Sequence, residues 1–83
     1  MEPNIIFVPS AFKHHVTEED IRHAYNNKIH DGCLESCENK YCFIGFNLAG
    51  NPIEVFYNPI DEDTIKVFHA MDMRPGVLTQ LRD

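Results

Sequence analysis

Apolar runs alternate with polar turn signals along the chain, and this pattern predicts four strands. The first run, Ile5-Ile6-Phe7-Val8, is β-branched and aromatic and ends at Pro9, as an edge strand does. Turn residues around Gly50 and Pro59 separate the later runs. Those runs predict further strands over 41–46, 53–57 and 64–70. Their short connections predict an antiparallel meander.

The sequence also predicts a helix that begins after Thr17. The Thr17 hydroxyl is placed to accept from the backbone three residues on, and the Asp20 side chain to reach back, as in a capping box. Three carboxylates in the first turn match the positive end of the helix dipole. The helix is expected to stop near Asn26-Asn27. Its predicted apolar stripe consists of Ile21, Ala24 and Tyr25.

Two regions give weaker patterns. Residues 28–40 contain few apolar residues and an Asp31-Gly32 turn signal, so they are assigned to a poorly defined strand or a loop. Pro75 suits the first turn of a helix, and a second, short helix is expected after it. The apolar stripe of that helix would consist of Val77, Leu78 and Leu81.

These elements predict a single α+β domain over residues 1–83. The N-terminal strand joins a small antiparallel meander, and the N-terminal helix and short C-terminal helix cover one face of the sheet. The period of two places His69 on the same strand face as Ile65 and Val67, with Lys66, Phe68 and Ala70 on the other. A hydrogen-bonded core histidine is therefore one interpretation of His69.

Composition excludes several classes of protein. At 43% apolar and 24% charged residues, the chain is neither disordered nor membrane-like, and no segment approaches the ~20 apolar residues of a membrane span. Met1-Glu2-Pro3-Asn4 lacks the cationic start and apolar stretch of a secretory signal, so a cytoplasmic location is expected. The net charge of -6 means that an anion-binding site must gather its few cations locally.

Three cysteines lie within ten residues. The odd number argues against a secreted disulfide framework. The spacing of Cys33, Cys37 and Cys42 lacks the close pairs typical of zinc sites, although His30 could supply a fourth ligand. Reduced, partly buried thiols are the favoured interpretation, and neither a metal site nor a cofactor is expected.

Two short segments carry most of the usable chemistry. Lys13-His14-His15 precedes the predicted helix, and His69 and Arg74 lie at and beyond the end of the last predicted strand. Histidine titrates near neutrality and suits proton transfer, whereas lysine and arginine suit the binding of phosphate. If the two segments meet in space, they form a site.

The N-terminal residues carry a family resemblance. The segment Val8-Pro9-Ser10-Ala11-Phe12-Lys13-His14, followed by Val16-Thr17-Glu18-Glu19-Asp20-Ile21 and Ala24, resembles the opening of small bacterial BrnT-like toxins in the RelE/ParE-like superfamily. The later segments Ile44-Gly45, Glu54-Val55, Val67-Phe68-His69-Ala70-Met71 and Arg74-Pro75 are similar to short relatives of that group. The resemblance implies a type II toxin: an endoribonuclease that cuts mRNA, free or on the ribosome, and is silenced by a cognate DNA-binding antitoxin.

Metal-free cleavage of RNA uses the 2'-hydroxyl as nucleophile and needs a base, an acid and a cation. The hypothesis is that His14 and His69 share the acid and base roles while Lys13 and Arg74 hold the phosphate. Arg22 is a secondary candidate for contact with the RNA backbone. Each has a structural alternative, since His14 equally well orients the turn before the helix and a lysine such as Lys13 is usually solvated.

One feature opposes the ribonuclease hypothesis. Nucleic-acid affinity comes largely from neutralised phosphates, yet seven Lys and Arg residues face thirteen Asp and Glu residues in this chain. The alternative function is a non-catalytic interaction module of the same fold, which pairs with a partner chain or with itself as a homodimer through an exposed sheet edge or helix.

Overall fold

The computed structural model describes residues 2–34, 39–76 and 81–82. Within these residues the chain forms one α-helix and one six-stranded sheet, which confirms the α+β class. The helix α1 spans Glu18–Asn26, and a single 3-10 turn spans Pro9–Phe12. The strands are β1 Asn4–Phe7, β2 Lys28–Leu34, β3 Tyr41–Phe46, β4 Pro52–Asp61, β5 Thr64–Asp72 and β6 Leu81–Arg82.

The sheet is mixed, with the strand order β1-β5-β4-β3-β2-β6. Strands β2 to β5 form an antiparallel meander, so the predicted meander is present and gains β2. The prediction of a purely antiparallel sheet is wrong, because β1 pairs parallel with β5, with Phe7 opposite Val67. The apolar pattern of β1 is the same for either direction of pairing, so the sequence could not distinguish them.

The N-terminus of α1 has the predicted capping box. Thr17 Oγ1 accepts from the Asp20 backbone N–H at 3.1 Å, and the Thr17 backbone N–H donates to Asp20 Oδ2 at 3.4 Å. Asp20 Oδ1 also accepts from the Leu48 backbone N–H at 3.1 Å, which ties the start of the helix to the β3–β4 turn. The cap therefore fixes both where α1 begins and where it sits on the sheet.

The core lies between α1 and one face of the sheet. Gly45 allows this close approach, because a Cβ atom at that position would lie 2.0 Å from the Ala24 carbonyl oxygen. The Tyr25 and Phe43 rings meet edge to face at 5.5 Å. The fully buried members of the core include Ala11, Ile21, Ala24, Phe43, Ile53, Val55, Val67 and Ala70. The side of the sheet away from α1 is called the far face below.

Two predicted regions have a mixed outcome. Residues 28–34 form a strand, with an irregularity in its pairing between Lys28 and His30, while residues 35–38, including Cys37, lie outside the described residues. Val77 and Leu78 of the predicted C-terminal helix also lie outside them. The expectation that this helix includes Leu81 is wrong, since Leu81 pairs with Leu34 as part of β6. No helix among the described residues is long and apolar enough to cross a bilayer.

Candidate functional site

A bulge in β5 determines which way His69 points. His69 pairs with Phe56 and Val67 pairs with Tyr57, so Phe68 is the extra residue between two ladder positions. Val67 and Ala70 consequently both belong to the core, and His69 lies on the far face. The predicted sharing of one face by Val67 and His69 is wrong, because one inserted residue inverts the alternation that follows it.

The same bulge anchors the segment that carries His14. Ser10 Oγ donates to the Phe68 carbonyl oxygen at 2.8 Å, and the Val8 backbone N–H donates to the Val67 carbonyl at 3.1 Å. The 3-10 turn after β1 is thereby held against the middle of β5. The parallel pairing of β1 with β5 places the turn at that position along the strand.

His14 and His69 meet at this point. Their ring centroids are 5.4 Å apart and the ring planes cross at 69°. His14 is exposed, and the His69 side chain keeps 22% of its surface accessible, so both imidazoles are reachable from solvent. His15 follows with a φ of 66°, a left-handed conformation that turns the chain sharply between His14 and the helix cap.

A buried carboxylate lies beneath this histidine pair. Glu54 is the charged residue with no exposed surface among those described, and its neighbours in β4 are apolar. Glu54 Oε2 lies 3.1 Å from His69 Nε2. Arg74 donates from its backbone N–H to Oε1 at 3.0 Å, from Nε to Oε1 and Oε2 at 3.2 and 3.0 Å, and from Nη2 to Oε2 at 2.6 Å. Glu54 therefore joins His69 and Arg74 into one network.

The electrostatics of Glu54 favour the ionised carboxylate. Burial raises the pKa of Glu54, but the hydrogen bonds from Arg74 and His69 and the charge of Arg74 outweigh it, so the pKa lies below its usual value. The hydrogen bonds to Glu54 and the negative charge of Glu54 raise the pKa of Arg74. The pair is thus an ion pair at neutral pH, in which the Arg74 side chain is 52% exposed and the Glu54 side chain is buried.

Aromatic and apolar side chains form the floor of the site. The Phe56 ring lies 4.7 Å from the His69 ring, 5.9 Å from the Arg74 guanidinium and 6.3 Å from the Phe68 ring. Cys42 is fully buried beside Phe56, and burial together with the Glu54 charge raises its pKa to about 12. Cys42 is therefore a protonated thiol and serves as packing rather than as a nucleophile.

The structure brings three of the predicted site residues together and leaves two apart. His14, His69 and Arg74 are linked by the contacts above. Lys13 is exposed in the adjoining turn, where its backbone N–H donates to the Ser10 carbonyl at 3.3 Å. Arg22 lies on α1, across the sheet from His69.

Arg22 is committed to a different network. It binds Glu18 at 2.9 Å and Glu2 at 3.1 Å, and its guanidinium lies 5.4 Å from the centre of the Phe7 ring. These two carboxylates balance its charge and accept from its Nε and Nη1. Arg22 is therefore not part of the histidine site.

Sequence reasoning missed Glu54. A signal was present, because Glu54 interrupts an otherwise apolar run in a predicted central strand, and a charge at such a position needs a buried partner. The identity of that partner was not predictable, since Arg74 reaches Glu54 only through the turn that follows β5.

Comparisons with known proteins identify no relative whose site could be compared with this one. The chain matches no family model, no curated protein and no solved structure. Across residues 2–34, 39–76 and 81–82, no three His, Cys, Asp or Glu side chains cluster as metal ligands do. Evidence for a function therefore comes from the geometry of the side chains themselves.

Proposed function

We propose that this chain is the toxin component of a type II toxin-antitoxin system and acts in the cytoplasm as a metal-independent mRNA endoribonuclease. The observation that supports this proposal is the pair of imidazoles, His14 and His69, at 5.4 Å on a solvent-accessible surface. Two histidines at this range match the need for one proton acceptor and one proton donor in the cleavage of a ribose phosphodiester. The sequence resemblance to BrnT-like toxins points to the same chemistry.

In the proposed reaction, one neutral imidazole removes the proton from the 2'-hydroxyl. The 2' oxygen forms a bond to phosphorus, and the bond between phosphorus and the 5' oxygen breaks. The second residue, an imidazolium, gives its proton to that departing oxygen. The products are a 2',3'-cyclic phosphate and a 5'-hydroxyl, and water returns both imidazoles to their starting states.

Charge at the site limits how the phosphate is held. The charge of Arg74 is compensated by Glu54, but the Arg74 side chain remains 52% exposed and Nη1 makes none of the four hydrogen bonds to that carboxylate. Lys13 is exposed in the neighbouring turn and supplies a second positive charge. These two groups are the proposed phosphate contacts, so binding depends on few cations.

The proposed antitoxin partner follows from the charge of the whole chain. A net charge of -6 favours a basic antitoxin segment and disfavours extended contact with nucleic acid. RNA binding is therefore expected to be confined to the neighbourhood of the histidine pair, while the acidic remainder is available to the antitoxin.

Cleavage of a single-stranded RNA by the purified chain in the presence of EDTA tests the proposal. The expected products carry 2',3'-cyclic phosphate ends, and His14→Ala and His69→Ala each reduce the rate by about 100-fold or more. His15→Asn is the matched control, because it removes a neighbouring imidazole while asparagine tolerates the left-handed backbone. Loss of growth arrest should follow the same order. Intact RNA with the wild-type chain, or equal rates for all three variants, contradicts the proposal.

The alternative of a non-catalytic interaction module has one supporting observation. Strand β1 ends the sheet, and Ile6 on this strand is 48% exposed. A chain that leaves RNA intact, does not arrest growth and still binds a partner would favour this alternative.

A further inference from the structure

Among the described residues, the hydrogen bonds of Glu54 go to two only, which a purely structural role in the core does not require. Burial of a carboxylate in a central strand costs free energy, and Glu54 accepts hydrogen bonds from one histidine and one arginine. Both of those residues belong to the proposed site. We propose that Glu54 is a positioning residue that fixes the proton on His69 Nε2, so that His69 is the base and His14 the acid. This inference rests on the proposed function.

His69 is the donor in its hydrogen bond with Glu54. An ionised carboxylate only accepts, so in the contact of 3.1 Å between Glu54 Oε2 and His69 Nε2 the proton belongs to the histidine. The neutral His69 ring then has its lone pair on Nδ1. That nitrogen is the atom that accepts the proton of the 2'-hydroxyl.

The proposed reaction creates a positive charge on His69. When Nδ1 takes a proton, His69 becomes an imidazolium whose Nε2–H already points at a carboxylate, and this partner stabilises the new charge. Within the described part of the chain no carboxylate is hydrogen-bonded to His14. The two rings are therefore unequal: Glu54 favours proton uptake by His69, and His14 is left to donate.

Arg74 keeps Glu54 in place for this purpose. Its guanidinium and backbone N–H occupy both carboxylate oxygens, which prevents rotation of the carboxylate away from His69. The groups that surround His69 are then Glu54 from β4, Arg74 after β5 and His14 from the turn after β1, with the protonated Cys42 of β3 near Glu54. Glu54 is the group among these that attracts a proton to His69.

Nitrogen chemical shifts of the imidazole rings test the inference without any RNA. In the wild-type chain above neutral pH, His69 is expected to carry its proton on Nε2. Glu54→Gln, whose amide is able to donate, should move the proton to Nδ1 or mix the two forms. Glu62→Gln, which removes an exposed carboxylate in the β4–β5 turn, is the matched control and should change nothing. A proton on Nδ1 in the wild-type chain, which needs no variant to fold, overturns the inference.

Cleavage kinetics supply the second readout. In Glu54→Gln, kcat should fall roughly 10- to 100-fold with little change in KM. A rise in KM with kcat unchanged overturns the inference. If His69 has the expected tautomer but the chain cleaves no RNA, the ribonuclease activity and the role of His69 as base are refuted, whereas the control of the His69 ring by Glu54 stands. The two failures are therefore distinguishable.

Discussion

Ser10 Oγ donates to the carbonyl oxygen of Phe68 at 2.8 Å, which fastens the turn after β1 to the bulge in β5. The two ends of this bond lie beside the two histidines of the site, His14 on one segment and His69 on the other. The hydrogen bond therefore helps to fix the distance between the His14 and His69 rings, on which the proposed chemistry depends.

Removal of this bond should separate the histidines. Ser10→Ala is expected to lower the free energy of unfolding by only about 0.5 to 1 kcal/mol, because the bond is exposed to solvent. The nuclear Overhauser contact between the His14 and His69 rings should weaken at the same time. Ser10→Thr keeps the hydroxyl and is the control. An unchanged ring contact in Ser10→Ala would show that the turn is held by other bonds.

Loss of Arg74 alone should destabilise the folded chain more than loss of Arg74 and Glu54 together. Arg74→Ala leaves a buried carboxylate without its main partner and is expected to cost about 3 kcal/mol, at the low end for broken buried pairs because His69 and a backbone N–H still bind Glu54. Glu54→Leu combined with Arg74→Ala removes the buried charge and should recover part of that loss. Urea denaturation measures both, and a double variant less stable than Arg74→Ala contradicts the interpretation.

Stability should also fall in acid because of Glu54. Its pKa is lower in the folded chain than the reference value of 4.5, so its stabilising contribution is complete above pH 4.5 and disappears as the pH falls through the folded pKa. The loss between pH 7 and pH 3 should be smaller in Glu54→Gln than in the wild-type chain. Equal acid losses in the two chains would mean that Glu54 is not a source of the pH dependence.

The contact of α1 with β3 should tolerate no side chain at Gly45. Gly45→Ala places Cβ 2.0 Å from the Ala24 carbonyl and is expected to cost about 3 kcal/mol or more, since the helix backbone must move. Gly50→Ala is the comparison, because its φ of 85° is unfavourable for alanine but the space around it is empty. That variant should lose only about 1 to 2 kcal/mol. Similar losses for the two glycines would contradict the packing described here.

Binding of RNA should depend weakly on salt. Lys13 and Arg74 are the proposed contacts to two phosphates, and each phosphate contact on a single strand contributes about -0.7 to the salt dependence. A plot of the logarithm of the binding constant against the logarithm of salt concentration is therefore expected to have a slope of about -1.4. Lys13→Gln should reduce the slope by about half. A slope several times steeper would indicate a cationic surface elsewhere on the chain.

Local signals in the sequence were sufficient for α1 and for most of the strands. Thr17 and Asp20 form a cap from residues three apart, and the apolar runs of β3 to β5 carry their own pattern, so both are predictable without knowledge of the fold. The two segments with the candidate chemistry were predictable because each places histidine beside one of the few basic residues of an acidic chain.

The arrangement of the site depends on long-range contacts, which the sequence pattern does not contain. The bulge at Phe68 inverts the face of His69, and its carbonyl is satisfied by Ser10 from the other end of the chain. Glu54 becomes a site residue only because Arg74 folds back over it. His14 and His69 meet because β1 pairs parallel with β5, and the sequence of neither strand alone predicts that pairing.

An RNA whose scissile 5' oxygen is replaced by sulfur separates the acid from the base. A thiolate leaves without protonation, so this substrate does not need the acid, whereas removal of the proton from the 2'-hydroxyl is still required. His14→Ala is expected to cleave it at close to the wild-type rate, and His69→Ala is expected to remain about 100-fold or more slower. Equal deficits in the two variants, or no cleavage by the wild-type chain, would contradict the assignment of His69 as base and His14 as acid.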